Sequence, residues 1–248
     1  MSGNATGRIE AAFARLKAER RTGLVAFLTV GYPDVEATLR LVPALVEGGA
    51  GIIELGVPFS DPVAEGPTIQ RASFHALEHG VTMATCLDVT AKLRSRGVEA
   101  PVILMGYYNP VLAYGVERFA RDAAKAGVDG VIAVDLPPEE SDPLREACVA
   151  NNLRLIYLLA PTSTDERIRQ VAELASGFVY CVSLTGVTGA RTELPAGLDV
   201  FVNRVRSFTP LPIAVGFGIS QRKHFQAVAR IADAAVIGSA IIDEIDRA

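Results

Sequence analysis

A single carboxylate inside an otherwise apolar run is the first place where this sequence could do chemistry. The run is Gly51-Ile-Ile-Glu-Leu55, bounded by Gly51 itself and by Gly56, and it reads as a short strand buried on both faces. Side chains alternate along a strand, so Glu54 points with Ile52 and away from Ile53 and Leu55. Such neighbours disfavour the charged form. They raise the carboxyl pKa toward the range where one group can both give and take a proton. Directly afterwards the pattern dissolves into Pro58, Asp61, Pro62, Glu65, Gly66 and Pro67, a stiff polar loop of the kind that tends to carry function. A blander reading stands beside this one. Acids at strand ends are often solvated or ion-paired, and Asp61-Pro62 alone is a turn signal.

Other chemistry has less support. The lysines are Lys17, Lys92, Lys125 and Lys223, all in helical segments, so no strand offers an amine for a Schiff base. His75 and His79 are four apart on a helix, but HALEH is not HExxH and no third ligand is close in sequence, so a solvated helix face is expected. Lysine-dependent and metal-dependent carbon–carbon cleavage are both left unsupported, and proton transfer by carboxylates remains.

The elements that must position Glu54 alternate regularly. An amphipathic lead-in helix carries Ile9, Phe13 and Leu16 on one side. Strands are expected at 24–30, 51–55, 102–106, 130–135, 155–160, 178–183, 212–216 and 234–238. Helical material separates them at 35–47, 69–78 with 83–96, 116–126, 138–151, 165–175, 198–208 and 221–231. Asp34, Thr164 and Ser220 are the expected caps, Pro43 should kink its helix, and Tyr107-Tyr-Asn-Pro110 follows its strand without a helix of its own. Strands too apolar to face water on either side imply a parallel sheet covered by helices. Eight such units without a linker fit one TIM (β/α)8 barrel domain over residues 1–248. A doubly wound open sheet is the alternative, but Thr29-Val-Gly-Tyr-Pro after the first strand is not GxGxxG.

In a barrel the site lies where strands run into the following loops, with phosphate at the ends of the last two. Those ends read Gly216-Phe-Gly218-Ile-Ser220 and Ile237-Gly238-Ser239, and a further glycine turn, Gly186-Val-Thr-Gly189, follows strand six. Glycines there let backbone N–H groups approach an anion, although each is also common as a plain turn. The remaining strand ends supply Phe27, Thr29, Tyr107, Asn109, Asp135 and Tyr180, a partly aromatic, partly acidic lining suited to a flat ring beside a phosphorylated tail.

Composition sets outer limits. The formal net charge of −4 is unclustered, which argues against a nucleic-acid or anionic-membrane surface. Cys86, Cys148 and Cys181 are widely spaced, without CxxC, and read as reduced, buried cysteines. The N-terminus has no apolar core of a signal peptide, and no apolar run approaches membrane-spanning length. A cytoplasmic globular protein is expected.

Taken in order, ELGVPFSDP, GPTIQ, YYNP, GVTGAR, GFGIS and GSAI make the chain resemble the tryptophan synthase alpha subunit family over essentially its whole length. The resemblance implies retro-aldol cleavage of indole-3-glycerol phosphate to indole and glyceraldehyde 3-phosphate, without metal or cofactor in this subunit. Glu54 matches the family's catalytic glutamate, which protonates the leaving ring carbon and relays the substrate hydroxyl proton. Glu65 falls where the family usually has aspartate, the acid that hydrogen-bonds the indole N–H. Gly189, Gly218, Gly238 and Ser239 match phosphate-binding positions, and Phe27, Tyr107, Asp135 and Tyr180 pocket-lining ones. Thr188 lies in the loop that closes over substrate. The resemblance also implies a beta subunit carrying pyridoxal phosphate, in an alpha2beta2 assembly, with Pro58, Asp61, Asn109 and Pro137 at the interface edge. A free-standing lyase, a catalytically weak regulatory partner and another phosphosugar barrel stay open as alternatives. Family members usually carry a further helix beyond the point where this chain stops at Ala248.

Overall fold

The computed structural model describes residues 7–182, 196–216 and 218–247. Among them the elements are α1 (Arg8–Ala18), β1 (Gly23–Thr29), α2 (Val35–Glu47), β2 (Ile52–Gly56), α3 (Pro67–Glu78), α4 (Met83–Ser95), β3 (Val102–Gly106), α5 (Tyr108–Tyr114), α6 (Val116–Ala126) and β4 (Gly130–Ala133). A 3-10 turn (Pro138–Glu140) precedes α7 (Asp142–Ala150), β5 (Arg154–Leu155), β6 (Leu158–Leu159), α8 (Asp165–Leu174), β7 (Val179–Val182), α9 (Leu198–Arg206), β8 (Ile213–Gly216), α10 (Arg222–Val228), β9 (Ala234–Ile237) and α11 (Ser239–Ile245).

Every strand pairing is parallel, in the order β5-β4-β3-β2-β1-β9-β8-β7-β6. The two ends of that order are β5 and β6, halves of one extended run. Within it Ile156 N–H donates to Val131 O, and Tyr157 O accepts from Tyr180 N–H, each at 3.0 Å. One stave thus bonds both neighbours and closes the sheet into a barrel, as expected from the alternation.

Strand alternation sorts the core into two layers. Ile53, Leu55, Leu104, Val131 and Val215 pack outward against the helices. Val25, Phe27, Ile52, Ile103, Met105, Ile132, Phe178, Tyr180, Ala214 and Val236 face inward. Ile9, Ala12, Phe13 and Leu16 of α1 join the inner group, with the Phe13 and Phe178 ring centroids 5.5 Å apart. The lead-in helix therefore stoppers the end of the barrel where the strands begin.

That end is also stapled by charge. Asp129, just before β4, accepts from the Val102 N–H at 2.8 Å and from Arg94 and Arg8. Arg94 also donates to the carbonyls of Val98, Ala100 and Gly127. Asp233, just before β9, repeats the device with the Ile213 N–H and Arg206.

Several local expectations hold and several need correction. Asp34 caps α2 through the Ala37 N–H, and Thr164 caps α8 through the Arg167 N–H. Helix α2 continues through Pro43 as one element. Proline cannot donate to the carbonyl four residues back, and Arg96 Nη1 donates to that Leu39 oxygen at 3.3 Å instead. Ser220 is not a side-chain cap: Gln221 holds the cap position, and His224 Nδ1 accepts from the Ser220 N–H. Helix α10 also ends at Val228, short of Ile231. Tyr108–Tyr114 is a helix, because Pro110 falls in its first turn, where no N–H is needed. Helix α11 follows Gly238 directly, packing against α3 and β1. The cysteines are buried and free.

Candidate active site

Glu54 is the central inward-facing position of β2, opposite Phe27 of β1 and Ile103 of β3 in register. It is 1% exposed, and its Oε2 has no hydrogen-bond partner among the described residues. Burial first, and the charge of Glu65 second, push its carboxyl up to about 8. Glu65 is also buried, which raises it to about 7. The two acids face one cavity, walled also by Phe27, Ile69, Met105, Tyr180, Ile219, Val236, Gly218, Gly238 and Ser239.

The loop that delivers Glu65 is pinned on both sides. Tyr107, buried at the end of β3, accepts from the Ala64 N–H at 2.9 Å and stacks on Phe59 at 4.9 Å. From the first turns of α3, Gln70 Nε2 donates to the Glu65 carbonyl at 3.0 Å. Those contacts hold the longer acid in the wall of the cavity. The Tyr107 hydroxyl is pushed up to about 12 by burial, and Tyr180 well above its ordinary value by burial and the charges of Glu54 and Glu65. Both phenols stay protonated at neutral pH.

Three glycines, Gly56 and Gly216 at strand ends and Gly238 just past β9, make room for the aromatic rings. A Cβ on Gly56 would lie 2.6 Å from the Phe27 ring, and one on Gly238 would press on the same ring at 3.1 Å. A Cβ on Gly216 would fall 2.1 Å from the Tyr180 hydroxyl. Gly218 has φ +81, a left-handed conformation that favours glycine. Gly216 and Gly238 are therefore glycines partly because rings lie across them, a reason the turn reading did not supply.

A second lobe adjoins the first, sharing Phe27, Glu65, Ile69 and Met105. Its walls include Phe59, Tyr107 and Thr29, whose Oγ1 is buried without a hydrogen-bond partner among the described residues.

The expected residues fall into groups. Glu54, Glu65, Phe27, Tyr180, Gly218, Gly238 and Ser239 share one cavity, and Tyr107 lines the second lobe. Asp135 stands outside both lobes. It is exposed and accepts from the Tyr108 N–H at 2.8 Å, at the start of α5. Asp61 and Asn109 are exposed, Pro137 is half-buried, and Pro58 is buried beneath its loop. Thr188 and Gly189 lie outside the described residues. Ile69 and Met105 were missed. Met105 was open to the alternation from Ile103 to Tyr107, whereas Ile69 needed the fold of the loop onto α3. His75 and His79 stack on each other on α3, and His75 Nε2 bonds the Pro33 carbonyl. Among the described residues no group of three or more histidine, cysteine or acidic side chains could hold a metal ion.

Comparison with known proteins settles the kinship. The profile of the family described as "Tryptophan synthase alpha chain" matches residues 13–248. This chain belongs to the tryptophan synthase alpha chain family. The tryptophan synthase alpha chain of Roseiflexus sp. (strain RS-1) is 54% identical over 241 residues, covering 97% of this chain and 92% of that one. Among solved structures, tryptophan synthase subunit alpha from Legionella pneumophila str. Paris superposes with a TM-score of 0.91 at 40% identity, over 98% of this chain and 90% of that one. A Mycobacterium tuberculosis tryptophan synthase structure gives 0.92 at 40% identity, over 98% and 92%. The alpha chain family is thus met in both sequence and barrel geometry. No helix among the described residues is long and apolar enough to cross a membrane.

Proposed function

We propose that this chain is the carbon–carbon lyase of tryptophan biosynthesis, cleaving indole-3-glycerol phosphate to indole and glyceraldehyde 3-phosphate. The observation that carries the assignment of roles is the buried Glu54 carboxyl, whose Oε2 has no hydrogen-bond partner among the described residues, in the same cavity as Gly218, Gly238 and Ser239. Those three hold the substrate phosphate with backbone N–H groups and a hydroxyl, with Gly189 contributing from its own loop. Phe27, Tyr107 and Tyr180 enclose the ring, Asp135 borders the mouth, and Thr188 belongs to the covering loop.

The chemistry is a balanced exchange of two protons. Glu54, protonated up to about pH 8, gives its proton to the ring carbon that bears the glycerol chain. Glu65, ionised above about pH 7, accepts the ring N–H proton and so relieves the charge that develops on nitrogen. The carbon–carbon bond then breaks, and its electron pair returns to the ring. The adjacent hydroxyl becomes the aldehyde carbonyl and passes its proton to the Glu54 carboxylate, while Glu65 returns the other proton to nitrogen. Both acids finish as they began, and the cycle asks for no cofactor in this chain.

Family membership also supports a beta subunit as partner, in an alpha2beta2 complex that carries its pyridoxal phosphate on the beta chain, and a cytoplasmic location. Asp61 and Asn109, with Pro137 beside them, offer the exposed edge for that contact, whereas Pro58 supports it from beneath. The test is an indole-release assay with and without a tryptophan synthase beta subunit. The chain alone should release indole slowly and should speed up when the partner is added. An unchanged rate would mark a free-standing lyase, and no indole under either condition would leave a regulatory partner without chemistry.

A further inference from the structure

Two helices border the cavity at different walls. Helix α3 begins two residues after Glu65, and α11 begins at Ser239. They are joined by two rungs of matching spacing. Thr68 Oγ1 donates to Asp243 Oδ1 at 3.1 Å, and one turn further along each helix Arg71 pairs with Asp246. Residues three apart share a helix face, so the rungs run up one seam, with the starts of both helices at the cavity. The outer rung is open to water, the Arg71 side chain being 51% exposed, and such a pair contributes little. The inner rung is partly buried and joins a hydroxyl to a carboxylate, the stronger kind of hydrogen bond.

We propose that Thr68 and Asp243 are a positioning pair that sets the spacing between the Glu65 carboxyl and the anion cradle at Gly238-Ser239; this rests on the lyase reading above. Thr68 is in the first turn of α3, three residues from Glu65, and Asp243 is one turn from Ser239. The intervening loop has little slack, because Tyr107 holds Ala64 and Gln70 holds the Glu65 carbonyl. A shift of α3 against α11 therefore carries the acid away from the phosphate. A substrate that spans ring to phosphate must match that spacing, and small misplacements of catalytic groups are expensive.

The experiment measures kcat, KM and melting temperature for Asp243→Ala, Asp243→Asn, Thr68→Val, the double variant Thr68→Val/Asp243→Ala, and Asp246→Ala. Asp243→Ala and Thr68→Val should each lower kcat roughly tenfold with KM within about twofold, and the double variant should be no slower than either alone. Asp243→Asn keeps an oxygen that accepts from Thr68 and should recover to within about twofold of the parent kcat. Asp246→Ala, which removes the outer rung and the Tyr32 hydrogen bond to the same carboxylate but leaves the Thr68–Asp243 rung intact, should keep full kcat. Additive losses, an Asn variant as slow as the Ala variant, or an equal loss in Asp246→Ala would overturn the proposal. Full kcat in Asp243→Ala with an active parent would sink the positioning role alone. A parent chain that releases no indole would sink the lyase reading and this one with it.

Discussion

Two acids at opposite ends of the barrel meet opposite fates. Asp129, at the stoppered end, has 10% of its side chain exposed and both oxygens engaged, by Arg8, Arg94 and a backbone N–H. Glu54, at the open end, is more deeply buried, has one oxygen unanswered, and is held largely protonated at neutral pH. The first is a carboxylate satisfied by its surroundings, so it binds strands together. The second is a carboxyl kept unsatisfied, which costs stability and leaves a proton free for transfer. In the lyase reading proposed above, the same fold separates holding from reacting by placing them toward the two ends of its strands.

The comparison breaks first at Glu54. Glu54→Gln should lower indole formation by about 10³-fold while substrate still binds, because an amide cannot shuttle the proton. Retention of a tenth or more of the parent turnover would remove Glu54 from its role. At the other end, Arg94→Ala leaves Asp129 partly buried without its nearest cation and deprives three carbonyls of a donor. A loss of about 3–5 kcal/mol in a denaturant titration is expected, and a loss below about 1 kcal/mol would show that the staple is ornamental.

Stability against pH sharpens the contrast. A carboxyl raised on folding keeps its proton in the native state after the unfolded chain has lost it. The two acids therefore reduce stability as pH climbs from about 4.5, through about 7 for Glu65, to about 8 for Glu54. Glu54→Gln should flatten that slope and at pH 8 exceed the parent by on the order of 3 kcal/mol; parallel curves for the two proteins would contradict the raised carboxyl. The smallest effect is expected for Glu65→Asp, which should preserve or modestly raise turnover. A collapse instead would show that the longer acid is matched to its pinned loop.

The barrel was legible because each strand is apolar on both faces and each is followed by a helix, a pattern that few architectures satisfy. Glu54 was legible for a related reason, as a charge in the interior of such a strand, flanked by apolar residues on both sides. What escaped came partly from local geometry and partly from contacts distant in sequence. Ser220 reads as a cap by type, yet His224, one turn on, accepts from its N–H; Tyr107-Tyr-Asn-Pro110 reads as a segment with no helix of its own, yet Pro110 sits in the first turn of α5. The break of the fifth stave into β5 and β6, and the rings of Phe27 and Tyr180 lying over Gly56, Gly216 and Gly238, are set by the closure of the sheet. No local pattern encodes that closure.

Helix α1 fills the floor beneath these rings with Ile9, Phe13 and Leu16. Among the described residues the cavity is consequently closed at the end where the strands begin. An approach to Glu54 is left from the opposite rim, past the loops that follow the strands.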